Sequence, residues 1–594
     1  MTPLYIDECF GWLHEARGGR GVILCPAMGV EELCLHRFVR QLATQLADAG
    51  LPTLRIDYHG TGDSAGNDLD PDRVARWLGS LRNAVAWMRR ETGVTEIALV
   101  GFRVGALLAA RAAAELGDVS RLALLAAPAS GKFYLREMRA LSVFVAQAAP
   151  HVSVMRVSRP EVDIDIGGFP VTHETAAALT QLELSNLPAV PAPHVLLLNV
   201  PDAPGDKRVA AHLRAQGCDV ETATLPGYNE LQWNSSLAEL PPGAFDSLVD
   251  WLGRELPPAT GHAPAKRVAT LQRHPWRETP VRFGPDQSLF GVYCEPVEAK
   301  PSRVLLFLNH GSNHHIGWGR GFVRLARRFA ADGMASLRID IAGLGDSPAP
   351  AGVPENQLYR DDSRRDVLAA LDWLERAGHP AVTVLGHCAG AHLAFHSAQI
   401  DPRIVDVILV NLPRFHWRPG DSLAALMRKG FRSSDWYFVQ VREKDLWHRV
   451  LRGQVDFRAI LRFVAGRMQR KLSSNTRDLL TSVLPVAPEV QQVRTGFRVL
   501  SQRGTRVCMI YSAEDGGLDE IAEHAGWHAR RLRRLPGFSF RILDDADHNI
   551  TAEHAFEAYA QLLEEHLRAD ASATDAAAAS PRTSLHGIGI AGIG

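Results

Sequence analysis

Three things are missing from this sequence. None of its seven cysteines forms a C-x-x-C pair, no stretch of eighteen apolar residues occurs, and the first residues, Met1-Thr-Pro-Leu-Tyr-Ile-Asp-Glu, carry no basic segment ahead of an apolar one. The first absence argues against a disulfide framework or a cysteine metal site, and for a reduced setting. The second excludes an apolar membrane-spanning helix, and the third gives no secretory leader. Charge of one sign is missing too: 65 Lys and Arg stand against 66 Asp and Glu, net −1. A balance that close offers no global attraction for nucleic acid or an acidic membrane. These absences predict a cytoplasmic protein with no nucleic-acid partner and no transmembrane segment.

What the chain has is length and repetition. At 594 residues it exceeds one core, since a domain takes roughly 100–200 residues. The first half runs through an apolar strand at Gly21-Val-Ile-Leu-Cys-Pro, a helix from His36 to Gly50 and a strand ending Leu54-Arg-Ile-Asp57. The turn Gly60-Thr-Gly62-Asp-Ser64, a long helix from Arg73 to Thr92 and the strand Ile97-Ala-Leu-Val follow. The second half repeats this order with Val304-Leu-Leu-Phe-Leu, a helix to Gly333, Leu337-Arg-Ile-Asp340, Gly343-Leu-Gly345-Asp-Ser347, a helix from Arg360 to Gly378 and Val382-Thr-Val-Leu. Asp57 and Asp340 are 283 residues apart, and Arg103 and Cys388 are 285 apart. Strands alternating with long helices predict two tandem α/β domains, each a mostly parallel sheet covered on both faces. The expected boundaries are a first domain at 1–256, a linker at 257–275 rich in Pro, Gly and Ala, a second domain at 276–568 and a disordered tail at 569–594.

The last repeated strand opens each half's most informative motif. In the second half it reads Gly386-His387-Cys388-Ala389-Gly390 ahead of an apolar helical run; in the first, Gly101-Phe-Arg103-Val-Gly105. Glycines flanking a central residue at a strand-to-helix turn are what a strained turn requires, because side chains there would collide. Cys388 is therefore the nucleophile candidate. Arg103 cannot be one, being permanently protonated. Downstream of Cys388, the strand Val507–Tyr511 ends near Glu514 and Asp515, and the strand Phe538–Leu543 runs into Asp547 and His548. An acyl-transfer site needs a nucleophile, a base, an acid to orient the base and donors for an oxyanion. Cys388, His548 and Asp515 supply the first three. The backbone N–H of Ala389 and the loop Gly311-Ser312-Asn313 are the expected oxyanion donors. A free thiol is a few per cent ionised at neutral pH, and a neighbouring imidazolium and a helix N-terminus both favour the thiolate. In the first half Asp202 keeps an acid, but Leu225-Pro-Gly-Tyr228-Asn229-Glu230 stands where the histidine belongs.

This set of motifs resembles the α/β-hydrolase superfamily, in particular bacterial serine aminopeptidase S33-type hydrolases and the hydrolases of exosortase and exopolysaccharide gene clusters. The resemblance covers nearly the whole chain outside linker and tail. The cysteine departs from most members and resembles dienelactone hydrolases and the bile-acid type of acyl-CoA N-acyltransferase. What the resemblance implies is an ester or thioester hydrolase with a Cys-His-Asp triad in the order nucleophile, acid, histidine, and a helical lid over it. The lid is expected at about 412–503, where 18 Lys and Arg stand against 7 Asp and Glu. That excess would suit an anionic acyl carrier such as CoA or phosphopantetheine. The first domain is then a degenerate, noncatalytic copy that docks on the second. His387, His314 and His315 are further candidates for contact with substrate, and Arg103 for anchoring an anion. His310, His314, His315 and His387 have no carboxylate or cysteine partner at ligand spacing, so neither a metal nor another cofactor is expected. Two other readings stay open: an acyltransferase using the same acyl-enzyme on an amine or hydroxyl, and a noncatalytic binding or assembly protein of a polysaccharide or secondary-metabolite pathway.

Overall fold

In a computed structural model the described residues are 1–148, 159–200, 206–228, 231, 234–258, 270–418, 420–428 and 487–578. They form two sheets whose strands repeat one order. The first has eight strands: β1 (Thr2–Ile6), β2 (Cys9–His14), β3 (Arg20–Cys25), β4 (Thr53–Ile56), β5 (Glu96–Phe102), β6 (Arg121–Leu125), then β9 (His194–Asn199) and β10 (Asp219–Thr224). A separate two-stranded ribbon, β7 (Val162–Asp165) and β8 (Pro170–Thr172), lies between them in sequence. The spatial order is β1-β2-β4-β3-β5-β6-β9-β10, antiparallel as far as the β2–β4 pair and parallel thereafter.

The second sheet has nine strands: β11 (Leu271–Arg273), β12 (Trp276–Phe283), β13 (Leu289–Pro296), β14 (Val304–Phe307), β15 (Ala335–Asp340), β16 (Val382–His387), β17 (Ile404–Val410), β18 (Arg506–Ser512) and β19 (Phe538–Leu543). Its order, β11-β12-β13-β15-β14-β16-β17-β18-β19, is that of the first sheet with one strand added at the edge. The parallel strands are continuous apolar runs because helices cover both faces. Val382–His387 is buried from end to end, and so is Ala335–Asp340. Each fully buried Leu or Val there contributes about 1.5–3 kcal/mol relative to exposure. The flanking helices show the complementary one-sided pattern: in Gly321–Ala331, Phe322, Leu325, Ala326 and Phe329 are buried, while Arg324 and Arg328 lie toward the surface and Arg327 donates to the Asp63 and Ser64 carbonyls of the other domain.

Four features depart from the expectation. Each parallel sheet is preceded by antiparallel strands, β1–β2 and β11–β13, which lie ahead of the repeated motifs. β11 starts inside the expected linker. The last part of the expected lid is a helix of the domain's own layer: Pro488–Gln502 buries Val493, Phe497 and Leu500, with Phe497 packed on Phe395 at 4.7 Å between ring centroids. Its apolar residues recur at helical spacing toward the core, which a lid's charge count does not reveal. Residues 429–486, the greater part of the expected lid, lie outside the described residues, as does Asp202. Finally, the C-terminal helix Glu553–Ala578 extends past the expected start of the tail.

The two domains meet along the turns that follow β4 and β15. Arg338, with no exposed surface, donates to Asp63 of the first domain at 2.7 Å and to Glu278 of its own at 2.6 Å. Arg55 donates to Asp346 of the second domain at 2.6 Å. Arg320 inserts its guanidinium into the Gly60–Gly66 turn, donating to the carbonyls of Gly60, Gly62, Ser64 and Gly66 at 2.8–3.0 Å. Arg40 answers it by donating to the Gly345 carbonyl at 2.9 Å. Phe10 and Phe290, from β2 and β13, stack across the same contact with centroids 6.2 Å apart.

Candidate active site

The turn between β16 and the helix Ala389–Ile400 holds Cys388 at φ 57°, ψ −121°. The flanking glycines have no room for a side chain. A Cβ on Gly386 would lie 2.1 Å from the Gly390 carbonyl oxygen, and one on Gly390 would lie 2.4 Å from that of Asn309. The elbow thus presses directly against the loop that follows β14. Cys388 itself is 9% exposed.

His548 and Asp515 come to this turn from the ends of β19 and β18. His548 Nδ1 and Asp515 Oδ2 are 2.5 Å apart. Asp515 is held in place by the Gly517 N–H, which donates to Oδ1 at 2.7 Å. Glu514, the neighbouring acid, is not the one that meets His548. Burial disfavours the imidazolium, but Asp515 and then Cys388 outweigh it and raise the His548 pKa to about 10. The His548 backbone carbonyl accepts from His387 Nε2 at 2.7 Å and from Asn411 Nδ2 at 2.8 Å.

Beside the elbow lies a cavity of about 420 Å³, lined among others by Asn309, Gly311, Tyr359, Ala389, His392 and Trp417. Its helix wall, beginning at Ala389, presents the N-terminal end of a helix, which favours negative charge. His392 and His396, one and two turns beyond Cys388, are kept neutral: burial lowers both, His392 to about 3. Their ring nitrogens bond the carbonyls of Arg414 and Phe415 at 3.0 and 2.8 Å. The arginines at the rim are matched by acids. Arg360 meets Asp362 at 2.5 Å, and Arg418 pairs with Glu489.

Several expected site residues stand elsewhere. His387 is buried, stacked on His310 at 3.6 Å between centroids, and engaged with the His548 carbonyl rather than the cavity. His314 and His315 face the other domain. His315 is clamped between Asp340 at 2.8 Å and Asp63 at 2.6 Å, which raise its pKa well above the ordinary value despite burial. His314 lies against His36 with ring centroids 3.8 Å apart and planes tilted by 46°. Both therefore acquire carboxylate neighbours that linear spacing does not reveal: Glu32, His36 and His314 form one group, and His315, Asp340 and Asp346 another. Of the expected oxyanion loop, Gly311 lines the cavity. The Asn313 N–H is already bonded to the His310 carbonyl at 3.1 Å, and its side chain accepts from Ser235 of the first domain at 2.6 Å. Ser312 stands between them. Asn309 anchors the loop by donating to Asp340 at 2.7 Å and to the Asn313 carbonyl at 3.0 Å.

At the matching place in the first domain, Arg103 is 7% exposed, and its guanidinium is taken by Glu31 and Glu137, each at 2.7 Å. Only about 10 Å³ of cavity remains beside it. Among the described residues, the Arg103 charge is taken up by these two acids. The sequence missed Asn411, which holds the His548 carbonyl, and Tyr359, whose loop carries no periodic signal.

The alpha/beta hydrolase family model matches residues 304–562, and the serine aminopeptidase S33 family model matches residues 29–174. Similar solved structures include a bacterial membrane phospholipase A (17% identity, 50% of this chain and 86% of that chain, TM-score 0.30). The esterase Pf2001 of Pyrococcus furiosus is 12% identical over 49% of this chain and 92% of that chain, TM-score 0.29. The meta-cleavage product hydrolase of Pseudomonas fluorescens IP01 is 12% identical over 48% and 95%, TM-score 0.28. No curated protein matches the chain. No helix among the described residues is long and apolar enough to cross a membrane. With two sheets of one strand order, the first matched by the serine aminopeptidase S33 model and the second by the alpha/beta hydrolase model, the chain is a tandem of two domains of the α/β-hydrolase type.

Proposed function

We propose that the second domain is a cysteine-dependent acyl hydrolase acting on an ester or thioester. The observation that carries this reading is the 2.5 Å contact of His548 with Asp515, at an elbow whose strained central residue is Cys388. In the reaction, the Cys388 sulfur attacks the scissile carbonyl carbon and its proton passes to His548. The oxyanion is held by the Ala389 N–H and by the Gly311–Ser312 stretch of the neighbouring loop. Collapse breaks the bond to the leaving alkoxide or thiolate, which takes the proton from His548. Water, deprotonated by His548, then attacks the thioester, and the acid leaves as Cys388 regains its hydrogen. Asp515 keeps the imidazole oriented and stabilises its charged form throughout.

The test is hydrolysis of p-nitrophenyl acetate and butyrate by wild type, Cys388→Ala and Cys388→Ser, with intact mass spectrometry. Wild type should show an acyl adduct on Cys388 that is absent from Cys388→Ala. No adduct and no turnover, with acyl thioesters as well, would overturn the reading. In the same proposal the first domain is noncatalytic. Its elbow carries an ion-paired arginine, and its Ser235 braces the second domain's Asn313 loop.

A further inference from the structure

The wall of the cavity holds a polar group that the acyl-hydrolase mechanism does not use. The Tyr359 hydroxyl is shielded from solvent and has no hydrogen-bond partner among the described residues. A buried hydroxyl left this way costs stability, and native structures retain few of them without a use. The residue is also held where an aromatic rarely sits, at φ 61°. Its ring lies flat against Trp417, 4.2 Å between centroids and 5° between planes, and meets His392 edge-on at 5.1 Å and 81°. His392 is in turn fixed by the Arg414 carbonyl. The ring therefore cannot swing the hydroxyl to a new partner without losing both contacts.

The position decides what the hydroxyl can meet. Tyr359 leans on His392, one helical turn beyond Cys388, which places its contacts about 5 Å along the helix from the nucleophile. An acyl group bonded to Cys388 would have its carbonyl at the helix N-terminus and its further atoms along the cavity wall that Tyr359 and His392 line. Burial and the nearby Cys388 also push the phenol pKa well above its ordinary value, so the group remains a donor. His392, with one ring nitrogen engaged by the Arg414 carbonyl and its imidazole neutral, leaves the other as an acceptor beside it.

We propose that Tyr359 is a specificity-determining residue that donates a hydrogen bond to an oxygen substituent on the acyl group, selecting hydroxy- or oxo-acyl substrates over plain alkyl ones. This rests on the acyl-enzyme reading of the same cavity. A site built to bond a substrate oxygen discriminates against the analogue lacking it, because the buried donor is then left unpaired.

The experiment compares p-nitrophenyl β-hydroxybutyrate with p-nitrophenyl butyrate, in wild type and in Tyr359→Phe, which keeps the ring stack and removes only the hydroxyl. Wild type should favour the hydroxy ester in kcat/KM by about tenfold, and Tyr359→Phe should erase that preference. Equal rates for the two esters in wild type, or a preference that survives in Tyr359→Phe, would overturn the proposal. Calorimetric binding of free β-hydroxybutyrate and butyrate to the same two proteins separates the two readings. If Cys388 is never acylated but wild type alone prefers the hydroxy acid, the acyl-enzyme fails and the Tyr359 assignment stands. If Cys388 is acylated and neither protein discriminates, the reverse holds.

Discussion

Cys388 and Arg103 share one backbone conformation, φ 57°, ψ −121° against φ 52°, ψ −120°. The strain of the elbow is thus kept in the domain where its central residue is an arginine. The first domain holds it with packing and ion pairs: a Cβ on Gly105 would lie 2.2 Å from the Pro26 carbonyl oxygen, and Arg103 is tied to Glu31 and Glu137.

Replacing Arg103 by Met should therefore act on stability and not on chemistry. Glu31 has no exposed surface and would be left without its cation, a loss on the order of 3–5 kcal/mol in unfolding free energy. Urea unfolding measures the first effect, and the rate of Cys388 acylation, expected to be unchanged, measures the second. A slowed acylation in a folded Arg103→Met protein would show that the first elbow takes part in the reaction.

Gly390→Ala should separate the elbow from its neighbouring loop. The added methyl would meet the Asn309 carbonyl at 2.4 Å, so the turn or the loop must shift. A shift of this size at an oxyanion site costs about a hundredfold in rate. Circular dichroism showing a folded domain, together with kcat/KM on p-nitrophenyl acetate, checks it; wild-type activity would show that the loop plays no part.

At the domain contact, Asp63→Asn should leave the fully buried Arg338 with one carboxylate fewer, and stability should fall by roughly 3–5 kcal/mol. Adding Arg338→Met removes the cation that Asp63 faces, so the double variant should lose less than the sum of the single losses. Additive losses would mean that the 2.7 Å pair has no coupling energy.

The same contact predicts a dependence on pH. Burial disfavours charged His36, but Asp346 and Glu32 raise its pKa to about 9, above the value of about 6.5 for a free histidine. A raised folded pKa gives stability that is complete below about pH 6.5 and is lost as pH rises through about 9. The urea midpoint should fall over that window, and less so in His36→Gln. Identical falls in the two proteins would assign the effect to other groups, such as His315 or His566, which are also raised.

Ser235→Ala removes the hydroxyl that donates to Asn313 at 2.6 Å. If the first domain braces the oxyanion loop, kcat should drop severalfold with KM little changed, while the alkylation rate of Cys388, which needs no oxyanion, stays at the wild-type value. Loss of alkylation as well would point to a collapsed site instead.

The sequence made the elbow legible because its requirement is local: two glycines at fixed spacing around Cys388, after a buried strand. His548 and Asp515 were legible as strand-end residues in the right order, and the structure brings them into contact. His314 and His315 were not, because Asp63, which meets His315, is 252 residues away and belongs to the other domain. The helix Pro488–Gln502 falls inside the expected lid because the charge excess of the surrounding segment masks the apolar stripe of Val493, Phe497 and Leu500. The strands β1, β2 and β11 to β13 lie ahead of the first repeated motif in each half and pair antiparallel, so the repeat of parallel strands and helices carries no sign of them. Tyr359 could not be found at all from spacing; its backbone angle and its flat contact with Trp417 exist only in three dimensions.

The exchange of Arg338–Asp63 for Arg55–Asp346 has the form of a two-fold interface between identical subunits, in which each surface is its own complement. Here both copies belong to one polypeptide. Their association is intramolecular, so it does not weaken on dilution as a homodimer's would. Covalent joining also removes the constraint that a substitution must appear on both sides of the axis at once. One elbow can carry an ion-paired arginine while its counterpart carries a cysteine.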